Sequence, residues 1–211
     1  MEDVLDTYEL PYNTLRPVVC MDEKPYQLLG ESKEPLPMRK GDNQKIDYEY
    51  VREGTCSIFV FTEPLGGVRH LNARTQRTAK DWAEEVKYLV DVSYSDVEKI
   101  ILVMDNLNTH KLSSLYKAFP PKEARRIAKR LEIHYTPKHG SWLNMAEIEL
   151  NVMTRQCLSR RIDNLEKLRS ELSTWEKDRN INTAKISWHF TNNQARVKLI
   201  SLYPKTILTE T

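Results

Sequence analysis

Two stretches of this chain, Val18–Asp22 and Ile100–Asp105, share one design: an apolar run passes without a break into an aspartate. Neither run alternates with polar residues, so each reads as a strand apolar on both faces, as in a sheet covered on both sides. Because alternate side chains of a strand share a face, Asp22 falls on the face of Val18 and Cys20, and Asp105 on that of Ile101 and Val103. A carboxylate at the end of a buried strand costs on the order of several kcal/mol unless it is paired or holds a cation. One such aspartate is commonly a turn former or helix cap; two at matched positions point to a site.

The rest of the chain supplies the frame. Residues 1–16 hold a short amphipathic stretch and a turn at Pro11-Tyr-Asn13, and 31–47 is rich in Pro, Gly and charge, a loop composition. Thr55–Glu63 and Val68–Ala73 flank Pro64-Leu-Gly-Gly67 as a hairpin, and join the first strand in an antiparallel meander. Thr78-Ala-Lys-Asp81 has the form of a capping box, followed by Trp82, Ala83, Val86, Leu89 and Val90 at helical spacing. A strand over Lys99–Met104, a basic helix from Pro121 to about Arg130 and a short strand at Glu132–Thr136 come next. Helices follow at Asn144–Arg160, Asn164–Asp178 and Gln194–Leu199. Three antiparallel strands followed by parallel βαβ units predict a mixed sheet with helices on both faces, the order of the ribonuclease H-like α/β fold. In that fold, acidic residues sit on the first strand, the fourth strand and a late helix.

The late helix offers two acids. Glu147 lies on the side of Asn144 and Asn151, whereas Glu149 falls within the apolar arc of Met145, Ile148, Val152 and Met153. Positions i and i+2 of a helix point different ways, so one of the two joins the aspartates, and helix geometry leaves both open. Glu23, beside Asp22 on the opposite strand face, reads as a surface or supporting residue. Three carboxylates suit a pair of Mg²⁺ ions about 4 Å apart, which activate a water or 3′-hydroxyl and stabilise the leaving oxygen of a phosphodiester. No Ser-His-Asp context, Gly-rich phosphate loop or HExxH motif is present.

Charge and cysteine content narrow the partners. Residues 1–50 hold 11 Asp and Glu against 6 Lys and Arg, but Lys122–Arg161 holds 9 Lys and Arg against 4 acids, a balance suited to a polyanion. Cys20, Cys56 and Cys157 are far apart and without a C-x-x-C pair, so they read as core residues. His134 lies in a strand and His139 after a turn, which disfavours zinc. His110, Lys138 and His139 are expected beside the carboxylates, in contact with phosphate. The acidic N-terminus lacks a signal peptide and no apolar run reaches the length of a membrane span, so an intracellular protein without membrane contact is expected.

Val18-Val-Cys-Met-Asp-Glu-Lys-Pro25, Leu102-Val-Met-Asp-Asn-Leu-Asn-Thr-His110 and His134-Tyr-Thr-Pro-Lys-His-Gly-Ser-Trp-Leu-Asn-Met-Ala-Glu147 together resemble the catalytic blocks of DDE transposases. The group they resemble is that of bacterial insertion-sequence enzymes related to mariner transposons. The resemblance runs on through Asp47-Tyr-Glu-Tyr50 and Trp188-His-Phe190. It implies that Asp22 and Asp105 are the family's two aspartates. Its Asn-x-x-acid pattern, Asn144-Met-Ala-Glu147, favours Glu147 over Glu149. Also implied are two Mg²⁺ or Mn²⁺ ions, DNA cleavage and strand transfer, duplex DNA partners (transposon ends and target), a homodimer assembled on DNA, and a cytoplasmic, nucleoid-associated place in a prokaryotic cell. Lys138, His139, Trp142, Arg125 and Lys129 are the DNA-contact candidates, and Asn106, His110 and Asn144 the supporting ones. Family members carry N-terminal helix-turn-helix domains; here about 17 residues precede the first catalytic strand, too few for one. A single catalytic domain over 1–211 with a C-terminal helical extension is therefore expected. A silent truncated transposase that regulates by binding DNA or full-length partners, and another ribonuclease H-like nuclease, are the alternatives.

Overall fold

The structure, a computed structural model, describes residues 1–34, 36, 40, 41 and 47–203. Its strands are β1 (Val18–Glu31), β2 (Tyr50–Glu63), β3 (Val68–Arg74), β4 (Ile100–Met104) and β5 (Leu131–Tyr135). They form one sheet in the order β3-β2-β1-β4-β5. The pairs β1–β2 and β2–β3 are antiparallel, and β1–β4 and β4–β5 are parallel. All five residues of β4 are buried, as its unbroken apolar run requires of a strand with neighbours on both sides.

Helices cover both faces. On one lie α2 (Ala79–Tyr88), α3 (Leu112–Ala118) and α4 (Pro121–Lys129), whose Trp82, Val86, Leu115 and Ile127 pack on Val19, Met21, Phe59, Phe61, Leu102 and Met104. On the other, α5 (Ala146–Gln156) and α6 (Leu165–Ile181) bring Met153, Leu168, Leu172 and Trp175 against Ile58, Val60 and Leu71. There too α1 (Glu2–Glu9) and α7 (Asn192–Lys198) enclose Cys20 and Val103 with Val4, Leu5 and Ala195. The period-2 alternation of β1 thus sends Val19 and Met21 to one layer and Cys20 to the other. The Thr78 hydroxyl accepts from the Asp81 N–H at 3.3 Å while Asp81 accepts from the Thr78 N–H at 2.7 Å. That capping box is worth about 1 kcal/mol at the start of α2. All three cysteines are buried and free. Among the described residues no helix is long and apolar enough to cross a membrane.

Several boundaries differ from the sequence reading. β1 does not stop at Asp22 but runs on to Glu31, because β2 pairs with it from Cys20↔Thr62 to Glu31↔Tyr50, with one register shift between Leu28 and Leu29. Backbone pairing there outweighs the polar composition of Asp-Glu-Lys. The loop expected over 31–47 lies largely outside the described residues. Helix α3 was not foreseen: it is seven residues long, and Lys111 at its N-cap makes no side-chain capping bond. The helix expected over Asn144–Arg160 is shorter, starting at Ala146 after a 3₁₀ turn at Ser141–Leu143 and ending at Gln156.

Candidate active site

The first two carboxylates are placed by sheet register. β1 and β4 pair in parallel through Val18↔Ile101, Val19↔Leu102 and Cys20↔Val103. Asp22 and Asp105 each lie two residues beyond that last pair, so they leave the ladder side by side on strands about 5 Å apart. β4 ends at Met104, and from Asp22 onward β1 has a strand neighbour on one side only. That open side also accommodates Pro25, which has no N–H to give to a ladder. Helix α5 lies over the same region, and Asp22, Glu23, Lys24 and Pro25 line an open groove with Glu147, Leu150, Asn151 and Thr154.

Asn144 fixes the start of α5. Its side-chain amide donates to the Met21 carbonyl at 2.8 Å, and its Oδ1 accepts from the Ala146 N–H at 3.1 Å. The helix is thus tied to the residue before Asp22, and Glu147 in its first turn faces the groove. Glu149 has another place. It is fully buried, and its carboxylate takes Arg69 Nε at 2.7 Å and Arg179 Nη2 at 2.9 Å. With both oxygens held by arginines, Glu149 is a clamp joining β3, α5 and α6.

The electrostatics of the two acids follow from these surroundings. The Asp22 carboxyl is pushed up to about 6, first by burial and then by the like charges of Asp105, Glu147 and Glu23. A hydrogen bond from the Glu23 N–H, at 2.7 Å to Oδ1, works the other way. Among the described residues no Lys or Arg pairs with Asp22 or Glu147, so the groove keeps oxygen donors with excess negative charge, the donor set of a cation site. Among the described residues, however, no three acidic, His or Cys side chains are gathered closely enough to enclose an ion. Asp105 in particular is engaged elsewhere, through Oδ1, by His110 Nδ1.

His110 overturns one expectation. It is fully buried, and both ring nitrogens are occupied, Nδ1 by Asp105 and Nε2 by Glu23 Oε1 at 2.8 Å. It therefore touches no phosphate. Burial lowers its pKa, but the bonds to Asp105 and Glu23 outweigh that and hold it up at about 9, so an imidazolium bridges the two acids. The Tyr135 hydroxyl donates to its backbone carbonyl at 2.9 Å. Glu23, read from sequence as a surface or supporting residue, is buried at its side chain, and its Oε2 has no partner. It supports Asp105 through His110. The adjacent Asp22-Glu23 pair was the available signal, but the partner lies 87 residues away.

The remaining candidates divide. Asn106 is exposed directly after Asp105. Lys138, His139 and Trp142 lie exposed on the turn leading into α5. His139 has φ 64°, and a Cβ on Gly140 would come within 2.6 Å of Pro137, so the turn requires its glycine. Trp142 rests edge-on against Phe190 with ring centres 5.9 Å apart. Arg125 and Lys129 are not brought to the carboxylates. The Arg130 carbonyl accepts from the Ile100 N–H at 2.8 Å, so Lys129 sits at the opposite end of β4 from Asp105.

The sequence matches the model of the DDE superfamily endonuclease family over residues 17–169, and the chain belongs to that family. No curated protein matches it. Among solved structures it is similar to the Mos1 mariner paired end complex with Mn, at 15% identity and TM-score 0.56, covering 86% of this chain and 54% of that one. The Mos1 strand transfer complex gives 14% and 0.54, covering 85% and 54%. The catalytic domain of Mos1 mariner transposase gives 13% and 0.52, covering 86% of each. This chain spans about half the length of the Mos1 chains in those complexes. At such identities the likeness is one of fold, and the mixed five-stranded sheet with helices on both faces is the ribonuclease H-like fold of mariner transposase catalytic domains.

Proposed function

We propose that this chain is the catalytic domain of a DNA transposase of the insertion-sequence kind, cleaving and joining DNA strands with two divalent ions held by Asp22, Asp105 and Glu147. The observation that carries this reading is the placement of the two aspartates, each two residues beyond the last β1–β4 pair, with Asp22 and Glu147 lining one groove. Mg²⁺ or Mn²⁺ fits that donor set, and when bound it would supply activation of a nucleophilic water or 3′-hydroxyl and stabilisation of the leaving oxygen. The chain's own part is to hold the ligands. Asn144 orients the helix that bears Glu147, the Glu23 N–H fixes Asp22 Oδ1, and the Glu23–His110 pair holds one oxygen of Asp105. The partner is duplex DNA, both transposon ends and target, engaged by a homodimer in the cytoplasm at the nucleoid. One Mos1 neighbour in fold is a paired-end complex with the left transposon end, which supports the choice of partner.

The test is nicking of a supercoiled plasmid by purified protein with Mg²⁺ or Mn²⁺, compared with Asp105→Ala. Loss of nicking in the variant, with an unchanged circular dichroism spectrum, is expected. Nicking that persists in Asp105→Ala, or is equal on an RNA–DNA hybrid, overturns the reading.

A further inference from the structure

Among the described residues Lys24 is the one cation lining the groove that Asp22, Glu23 and Glu147 share. It stands two residues after Asp22 on β1, on the same strand face, about 6.7 Å farther along. Three acids line the same groove, yet Lys24 forms no ion pair within 4.0 Å and no hydrogen bond among the described residues. A half-buried lysine lining one groove with Asp22, Glu23 and Glu147 would ordinarily fold back onto one of them. It lines the groove where β4 has ended beside β1 and α5 forms the other wall.

That wall is polar in the same direction. Glu147, Asn151 and Thr154 follow at i, i+4 and i+7, one face of α5. The Thr154 hydroxyl is spent on the Leu150 carbonyl at 2.6 Å and has no hydrogen to offer a ligand. Asn151 gives one amide hydrogen to the Glu147 carbonyl at 3.2 Å and keeps the other. The groove therefore changes character along its length. At one end it offers carboxylates alone; at the other it offers an ammonium and an amide N–H, both donors. A cation suits the first end and an anion the second.

We propose that Lys24, assisted by Asn151, is a phosphate-binding subsite that holds the reacting DNA strand by a phosphate adjacent to the scissile one. The spacing fits: Lys24 leaves β1 about 6.7 Å beyond Asp22, one or two steps of a DNA strand that advances about 3.4 Å per nucleotide along its axis. Lys24 is here a positioning residue, setting which phosphodiester lies over the carboxylates. This inference rests on the reading of the groove as a DNA-cleaving site.

The experiment uses the full chain, with Lys24→Ala and Lys24→Arg, and duplex oligonucleotides carrying a single neutral methylphosphonate at successive positions around the cleavage point. Binding is measured in Ca²⁺ and nicking in Mn²⁺. In wild type, one methylphosphonate position beside the scissile phosphate should weaken binding about tenfold, the worth of one charge-assisted hydrogen bond. Lys24→Ala should produce the same loss, and the two together should cost no more than either alone. Lys24→Arg should restore binding, and KM should move in Lys24→Ala while kcat stays within about threefold. Strictly additive losses at every position, or unchanged binding in Lys24→Ala, overturn the subsite. If wild type binds DNA but never nicks it, the proposed function fails, while the binding arm still decides whether Lys24 contacts that phosphate.

Discussion

Glu147 and Glu149 sit two residues apart on α5, and the helix turns them to opposite surroundings. Glu149 is fully buried but neutralised by Arg69 and Arg179, with Arg69 itself anchored to the Gly67 and Ala184 carbonyls. Glu147 faces Asp22, whose carboxyl is raised by burial and by three neighbouring acids. One carboxylate has its cations built into the protein; the other, like Asp22 opposite it, forms no ion pair among the described residues. A buried charge supplied with partners holds elements together, whereas a cluster of like charges without them costs stability and is retained for what it binds.

The largest effects should separate these two glutamates. Glu147→Ala should lower metal-dependent nicking by on the order of 10³-fold or more, with urea stability changed by no more than about 1 kcal/mol. Glu149→Ala leaves Arg69 buried without its acid and should cost roughly 3–5 kcal/mol in urea unfolding. Nicking would fall in that variant only as far as the folded fraction does. If Glu149→Ala were stable and inactive, the roles would be exchanged and the comparison broken.

A second difference lies in pH. Asp22 moves from 3.8 to about 6 on folding, so as an acid with a raised folded-state value it adds stability below about pH 4 that is lost as pH rises through 6. At pH 8 the ionised side chain is a liability. Asp22→Asn keeps an oxygen to accept the Glu23 N–H and removes the charge. It should stabilise the metal-free protein by roughly 1–3 kcal/mol at pH 8 and by much less at pH 4.5, while abolishing nicking. Urea midpoints at both pH values check this; equal shifts at the two, or destabilisation at pH 8, would show that Asp22 carries no strain from its acidic neighbours.

The contrast between the glutamates also marks how far sequence reasoning reached. β4, the hairpin after β2 and the capped start of α2 were legible because each depends on local pattern: an unbroken apolar run, a Gly-Gly turn, a Thr-x-x-Asp box. The two aspartates were legible for the same reason, each ending such a run. What escaped depends on distant partners. The continuation of β1 through Asp22, Glu23 and Lys24 is dictated by β2, not by those residues' preferences. Glu23 gains its role from His110, and Glu149 its role from arginines on β3 and α6. Helical spacing told the two glutamates apart in direction but not in neighbour.

The smallest effect concerns the basic helix α4. Arg126 is spent on Asp91 and Glu123, and Arg130 on the Tyr94, Ser95 and Val97 carbonyls. Lys122, Arg125 and Lys129, exposed and without ion pairs among the described residues, are the cations left facing solvent there. Lys129 stands at the far end of β4 from Asp105 and Arg125 one helical turn before it, so the pair meets DNA only as a second, distant contact. Arg125→Ala with Lys129→Ala should leave kcat for nicking within about twofold and lower the slope of log binding against log salt by no more than about 2. Lys24→Ala, one charge instead of two, should move KM more. Were the α4 pair to lower kcat tenfold at saturating DNA, the reacting phosphate would have to lie against α4. The groove between β1 and α5 would then not be the place where the strand is cut.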